Sequence, residues 1–144
     1  MTIRLSSETL HASTVAIDGR AVLISGISGS GKSDLALRLI DRGFTLVADD
    51  QTIVQKRGER LMVSAPHTIR GKLEIRGLGI VDMPAIEDVP LALAVELTSD
   101  VQRLPSDSRE RMICGLMVPL ITVDALTASA PSKVALALDR FGLK

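Results

Sequence analysis

The run Gly26-Ile27-Ser28-Gly29-Ser30-Gly31-Lys32-Ser33 constrains this chain more than any other feature, because it fits G-x-x-x-x-G-K-[ST]. Such a loop needs a strand before it and a helix after it. Both are legible. Ala21-Val22-Leu23-Ile24-Ser25 is a short apolar strand, and Asp34 to Asp41 carries Leu35, Ala36, Leu39 and Ile40 at helical spacing, with Gly43 placed to end the helix. The glycines let the backbone turn tightly, so that successive N–H groups point inward at phosphate oxygens, and the helix N-terminus adds its partial positive charge. Lys32 can reach the outer phosphates, and the Ser33 hydroxyl can ligate Mg²⁺. A plain Gly/Ser-rich turn would leave Lys-Ser at the helix start without a reason.

The bulk properties narrow the partners. With 144 residues the chain is long enough for one domain with one core, and a hydrophobic content of 46% suits a buried sheet. The net charge is zero and no dense Lys/Arg run exists, which argues against a nucleic-acid footprint; Phe44 and Phe141 are the only aromatic residues, so bases have little to stack on. The single cysteine, Cys114, rules out an internal disulfide and a Cys-rich zinc site, and is expected to be a small buried apolar residue. No basic segment followed by an apolar core opens the chain, and no apolar run has the length of a membrane span. A cytoplasmic protein with no membrane partner is expected.

Along the chain, Leu10 to Ile17 reads as one strand, and Asp18-Gly19 is a hairpin signal leading into the strand before the P-loop. His11 falls near the start of that first strand, where a lone histidine is either structural or functional. Phe44 to Ala48 is a second apolar strand ending in Asp49-Asp50. A P-loop enzyme needs an acidic residue at such a strand end, to hold Mg²⁺ or act as a base, and two adjacent carboxylates can shift each other's proton affinity. The bland alternative is an acidic turn. Gln51 to Ser64 predicts a second hairpin turning at Arg57-Gly58. Lys72 to Asp82 contains Glu74 and Arg76, which share a face if the stretch is extended, either as a surface salt bridge or as part of a site. Leu91 to Leu97 predicts a central strand, Thr98 to Arg111 a mobile polar loop with Arg103, Arg109 and Arg111, Val118 to Val123 a further strand, and Ser132 to Phe141 a last helix led by Pro131. Together these give an α/β fold: a central mixed β-sheet with flanking helices and a β-hairpin before the P-loop, as one domain over residues 1–144.

The order His11, P-loop, Arg42-Gly43, Ala48-Asp49-Asp50 and Leu73-Glu74-Ile75-Arg76-Gly77-Leu78-Gly79-Ile80 resembles the catalytic domain of HPr kinase/phosphorylase, in a short form. The last run is far more specific than the P-loop. The resemblance is good from Leu10 to Val81 and traceable through Arg103 and Pro119 to the final helix. It implies a P-loop kinase-like domain that uses ATP and Mg²⁺ to phosphorylate a serine of an HPr-type phosphocarrier, with phosphorolytic dephosphorylation as a second activity and a hexamer as the assembly of larger members. It also implies roles. Gly26, Ile27, Ser28, Gly29, Ser30, Gly31, Lys32 and Ser33 bind nucleotide phosphates. Lys32 and Arg103 stabilise charge on the transferred group. Ser33 and Glu74 correspond to Mg²⁺ ligands, Asp50 to the base that activates the substrate serine, and His11 to a catalytic-site histidine, with Asp49 beside Asp50. The segment the family uses for phosphorolysis falls at Asp124 to Ser129, which holds no Arg and no Gly and so offers no cationic fork for phosphate.

Two rival functions share these motifs. One is a small-molecule kinase or simple NTPase, although the chain contains no Asn and hence no N-K-x-D guanine-reading motif. The other is a nucleotide-sensing regulator without turnover.

Overall fold

The computed structural model describes residues 6–100 and 109–144. Strand β1 (Ser7–Leu10) is followed by a bend at His11 and then by β2 (Ala12–Ile17), so the single strand expected over Leu10 to Ile17 is two. The reason lies in their partners: β1 pairs with a strand of the following hairpin, whereas β2 pairs with the P-loop strand. Asp18 and Gly19 take φ of 52° and 74°, the left-handed pair that a two-residue hairpin turn demands. They bring β2 against β3 (Arg20–Ser25) in the register Ala12↔Ser25 to Ile17↔Arg20. The P-loop leads to α1 (Lys32–Asp41), and Gly43 (φ 106°) turns the chain into β4 (Thr45–Ala48). The expected hairpin of β5 (Thr52–Arg57) and β6 (Arg60–Ser64) follows, with its turn at Gly58-Glu59 rather than Arg57-Gly58 because Arg57 pairs with Arg60.

The specific run over Lys72 to Asp82 is not one extended stretch. It is a small antiparallel pair, β7 (Lys72–Ile75) and β8 (Gly79–Asp82), with Arg76, Gly77 and Leu78 in its turn. Gly77 and Gly79, both at φ 90°, make that turn possible, and Arg76 leaves the strand that carries Glu74. Then come β9 (Val89–Leu97), β10 (Glu110–Ile113), β11 (Leu116–Val123) and α2 (Ala130–Phe141). Glu110 and Arg111, expected in a loop, belong to β10, whose strand is fixed by pairing with β11 rather than by an apolar pattern of its own. Arg103 lies outside the described residues. Cys114 is a half-buried turn residue at φ 48° rather than a core residue, and burial pushes its thiol above the ordinary range, with the Glu8 carboxylate adding to the effect.

Among the described residues nine strands form one sheet in the order β1-β5-β6-β9-β3-β2-β4, with β10 and β11 joined to it through β9. It forks there: Val89 and Pro90 pair with β6, whereas Ala94 to Leu97 pair with β11. Strands β3, β9 and β11 are mutually parallel; β2 is antiparallel to β3, and β4 to β2, so β4 runs with β3. The carboxyl ends of β3, β4, β9 and β11 therefore meet at one end of the sheet, together with the start of β2. That is the end at which open α/β sheets bind ligands.

Both helices cover one face. Leu35, Ala36 and Leu39 of α1 and Val134, Ala137 and Leu138 of α2 pack with Val15, Val22, Ile24, Leu93 and Val95. The other face is covered by strands. Val54, Leu61, Val63, Ile113 and Val118 close over Ala12, Ala16, Ala21, Leu23 and Ala94, where the small alanines let the curled sheet approach itself. Among the described residues no helix is long and apolar enough to cross a membrane.

Candidate active site

The P-loop is shaped for an anion. Ser30 N–H donates to the Ile27 carbonyl at 3.0 Å, Gly31 takes φ 100° as N-cap, and no side chain caps α1, so its first N–H groups are open to a ligand. A Cβ on Gly31 would also come within 3.2 Å of Ala125 Cβ. Lys32 is buried, and its Nζ donates to the carbonyls of Gly26 (3.1 Å) and Ile27 (3.2 Å). Ser30 Oγ, inside the same loop, is buried and has no hydrogen-bond partner among the described residues, where phosphate oxygens would lie.

Asp49 ties the loop to the sheet. It is 6% exposed. Its Oδ1 accepts from Ser33 Oγ at 2.7 Å and Ser13 Oγ at 2.8 Å, and its Oδ2 from the Glu74 N–H at 3.0 Å. A hydroxyl donates once and keeps lone pairs. Ser33 can therefore hold Asp49 and still offer oxygen to a cation. This pairing of a hydroxyl with a carboxylate suits Mg²⁺, which takes one or two protein oxygens and fills its other positions with phosphate and water. Among the described residues no group of three or more His, Cys, Asp or Glu side chains forms a self-sufficient metal cage. Glu74 meets the cluster through its main chain, and its side chain is exposed.

Asp50 faces elsewhere. Its φ of 67° swings it out of the strand direction, its N–H donates to Ser13 Oγ at 3.1 Å, and its Oδ1 lies 3.2 Å from His11 Nε2. Both side chains are more than half exposed, at 56% for His11 and 60% for Asp50. The adjacent carboxylates thus do not share one pocket: Asp49 is buried against Ser33, and Asp50 opens to solvent beside His11. Ser13 links the two, and the sequence reading missed it. The signal was present as two consecutive hydroxyl residues, Ser13 and Thr14, inside a strand whose other residues are apolar. Thr14 and Thr52 are a second buried hydroxyl pair, at 2.9 Å, that stitches β2 to β5 beneath the site.

Residues 124–129 wall the loop on its other side. Arg38 of α1 donates to the Ala125 carbonyl and, at 3.2 Å, to the Thr127 carbonyl, while Arg42 Nη1 donates to Ser132 Oγ at 3.0 Å. Leu126 is left 90% exposed beside this wall, and Ile27 is 82% exposed in the P-loop. The structure thus brings His11, Lys32, Ser33, Asp49, Asp50 and the Glu74 main chain to one end of the sheet.

Comparison with known proteins agrees with this arrangement. The family model described as HPr Serine kinase C-terminal domain matches residues 4–136. The HPr kinase/phosphorylase of Latilactobacillus sakei subsp. sakei (strain 23K) is 42% identical over 128 residues, covering 80% of this chain and 41% of that protein. The HPr kinase/phosphorylase of Chlorobium phaeobacteroides (strain BS1) is 40% identical over 124 residues, covering 77% of this chain and 37% of that protein. The chain thus spans well under half the length of these curated relatives. Among solved structures, that of the Hpr(Ser) kinase/phosphatase from Coxiella burnetii superposes with a TM-score of 0.80 at 30% identity, covering 92% of this chain and 94% of that one.

Proposed function

The chain belongs to the HPr serine kinase C-terminal domain family, and we propose that it transfers the γ-phosphoryl group of ATP to a serine of an HPr-type phosphocarrier protein. The observation that carries this is the separation of the two aspartates: Asp49 is buried on Ser33 at the phosphate loop, and Asp50 is presented outward beside His11.

The loop N–H groups and the α1 N-terminus hold the nucleotide phosphates. Lys32 moves from the Gly26 and Ile27 carbonyls onto phosphate oxygens, exchanging neutral acceptors for charged ones. Ser33 and Asp49 would hold Mg²⁺, with Glu74 as the further ligand that the resemblance implies; the ion would neutralise phosphate charge. Asp50 accepts the proton of the incoming serine hydroxyl, and His11 orients the Asp50 carboxylate from 3.2 Å. Arg103 stabilises the transferring group, as the resemblance implies. We place the chain in the cytoplasm with its carrier, as a homo-oligomer, with neither nucleic acid nor membrane as partner. Phosphorolysis is weak or missing, because residues 124–129 hold no cation and Arg38 is engaged with their carbonyls.

The test is incubation with labelled ATP, Mg²⁺ and a panel of HPr-type carriers. Phosphoserine on a carrier is expected. A protein that binds ATP and labels none of them contradicts the proposal and favours the nucleotide-sensing regulator.

A further inference from the structure

Lys32 is not the sole cation built into the base of the phosphate loop. Arg111, on β10, is half-buried, and its Nη1 donates to Ser25 Oγ at 2.7 Å. Ser25 is the last residue of β3, directly before Gly26. Ala21 and Leu23 of the same strand face the strand-covered core, and Val22 and Ile24 face the helices. By the two-residue period Ser25 points away from α1. It is also the register partner of Ala12, the residue after His11. The Arg111 guanidinium therefore sits at the carboxyl end of β3, across the strand from the α1 N-terminus, on the flank bordered by the chain around His11.

Like Arg42, which rests on Ser132 Oγ, Arg111 is held by a hydroxyl; what sets it apart is its place at the strand end that leads into the phosphate loop. Arg57 and Arg70 pair with Asp88 and Glu87. Arg111 is held by a neutral hydroxyl, and among the described residues no carboxylate forms an ion pair with it. One of five N–H donors is engaged by Ser25, and among the described residues no carboxylate compensates the charge in this partly desolvated place. An anion is the natural partner, and the terminal phosphoryl group of a bound nucleotide is the anion that this end of the sheet would receive.

We propose that Arg111 binds the terminal phosphoryl group of the nucleoside triphosphate from the flank opposite α1, oriented by Ser25. This rests on the nucleotide-binding part of the function proposed above and is independent of which protein accepts the phosphate. A guanidinium so placed senses the third phosphate rather than the first two, so it contributes to the preference for triphosphate over diphosphate.

The experiment compares the affinities of the β,γ-imido analogue of ATP and of ADP, both with Mg²⁺, for the parent chain, Arg111→Gln and Ser25→Ala. Gln keeps a donor for Ser25 and removes the charge. Arg111→Gln is expected to lose about tenfold in triphosphate affinity with diphosphate affinity unchanged. Ser25→Ala, which leaves the arginine unoriented, is expected to lower the same ratio by about threefold. An unchanged ratio in both variants, or equal losses for the two nucleotides, overturns the inference in favour of a purely structural arginine. If Arg111→Gln does not fold, the Ser25→Ala ratio decides alone. Because no acceptor protein enters this measurement, a failure to label any carrier sinks the kinase proposal without touching this result.

Discussion

Ser13 uses one hydroxyl twice, donating to Asp49 and accepting from the Asp50 N–H, and it is fully buried while doing so. Replacing it by Ala changes little in volume but leaves a buried acceptor and an N–H short of partners. Ser13→Ala should therefore destabilise the fold by about 1–3 kcal/mol, read by chemical denaturation. It should also lower phosphotransfer more than it lowers nucleotide affinity, since the orientation of Asp50 is lost and the phosphate loop is not. Equal losses of both would mean that Ser13 serves the loop alone. The left-handed φ of Asp50 belongs to the same arrangement: it lets two consecutive carboxylates serve different partners.

The P-loop and α1 form the element on which the site depends, and Gly31 is its most demanding position. With φ 100° and Ala125 Cβ 3.2 Å from where its own Cβ would stand, Gly31→Ala is strained by conformation and by contact. It should cost about 1–2 kcal/mol of stability and weaken nucleotide binding, measurable by melting temperature and titration; unchanged nucleotide affinity would separate the loop conformation from binding. This element was the most legible part of the sequence, because a fixed spacing of Gly, Lys and Ser can be satisfied by few structures. The Asp18-Gly19 hairpin was legible for the same local reason. The Ser13–Asp49–Ser33 cluster was not: its bonds span 36 and 16 residues and depend on the register of β2 beside β4, including the shift between Thr14 and Val15. Strand β10 was hidden because Glu-Arg-Met-Ile carries no alternating apolar pattern and owes its form to pairing with β11.

At the scale of the molecule, both helices lie on one face and strands close the other, so one end of the sheet remains for chemistry. That layering rests on side chains such as Leu39, fully buried between α1 and the sheet. Leu39→Ala should cost about 2–5 kcal/mol in denaturation while leaving the site residues untouched. A loss under about 1 kcal/mol would mean that the site of the cavity collapses freely. The sequence suggested flanking helices but not that they share a face, since which face a helix covers is decided by sheet curl. The central claim is a division of labour between Asp49 at the loop and Asp50 at the acceptor, and Asp50→Asn tests it most directly. With Mg²⁺, labelled ATP and the best carrier, the variant should bind ATP as the parent does and form phosphoserine about a hundredfold more slowly or less. A variant that labels the carrier at the parent rate, or that loses ATP binding together with transfer, would contradict the account.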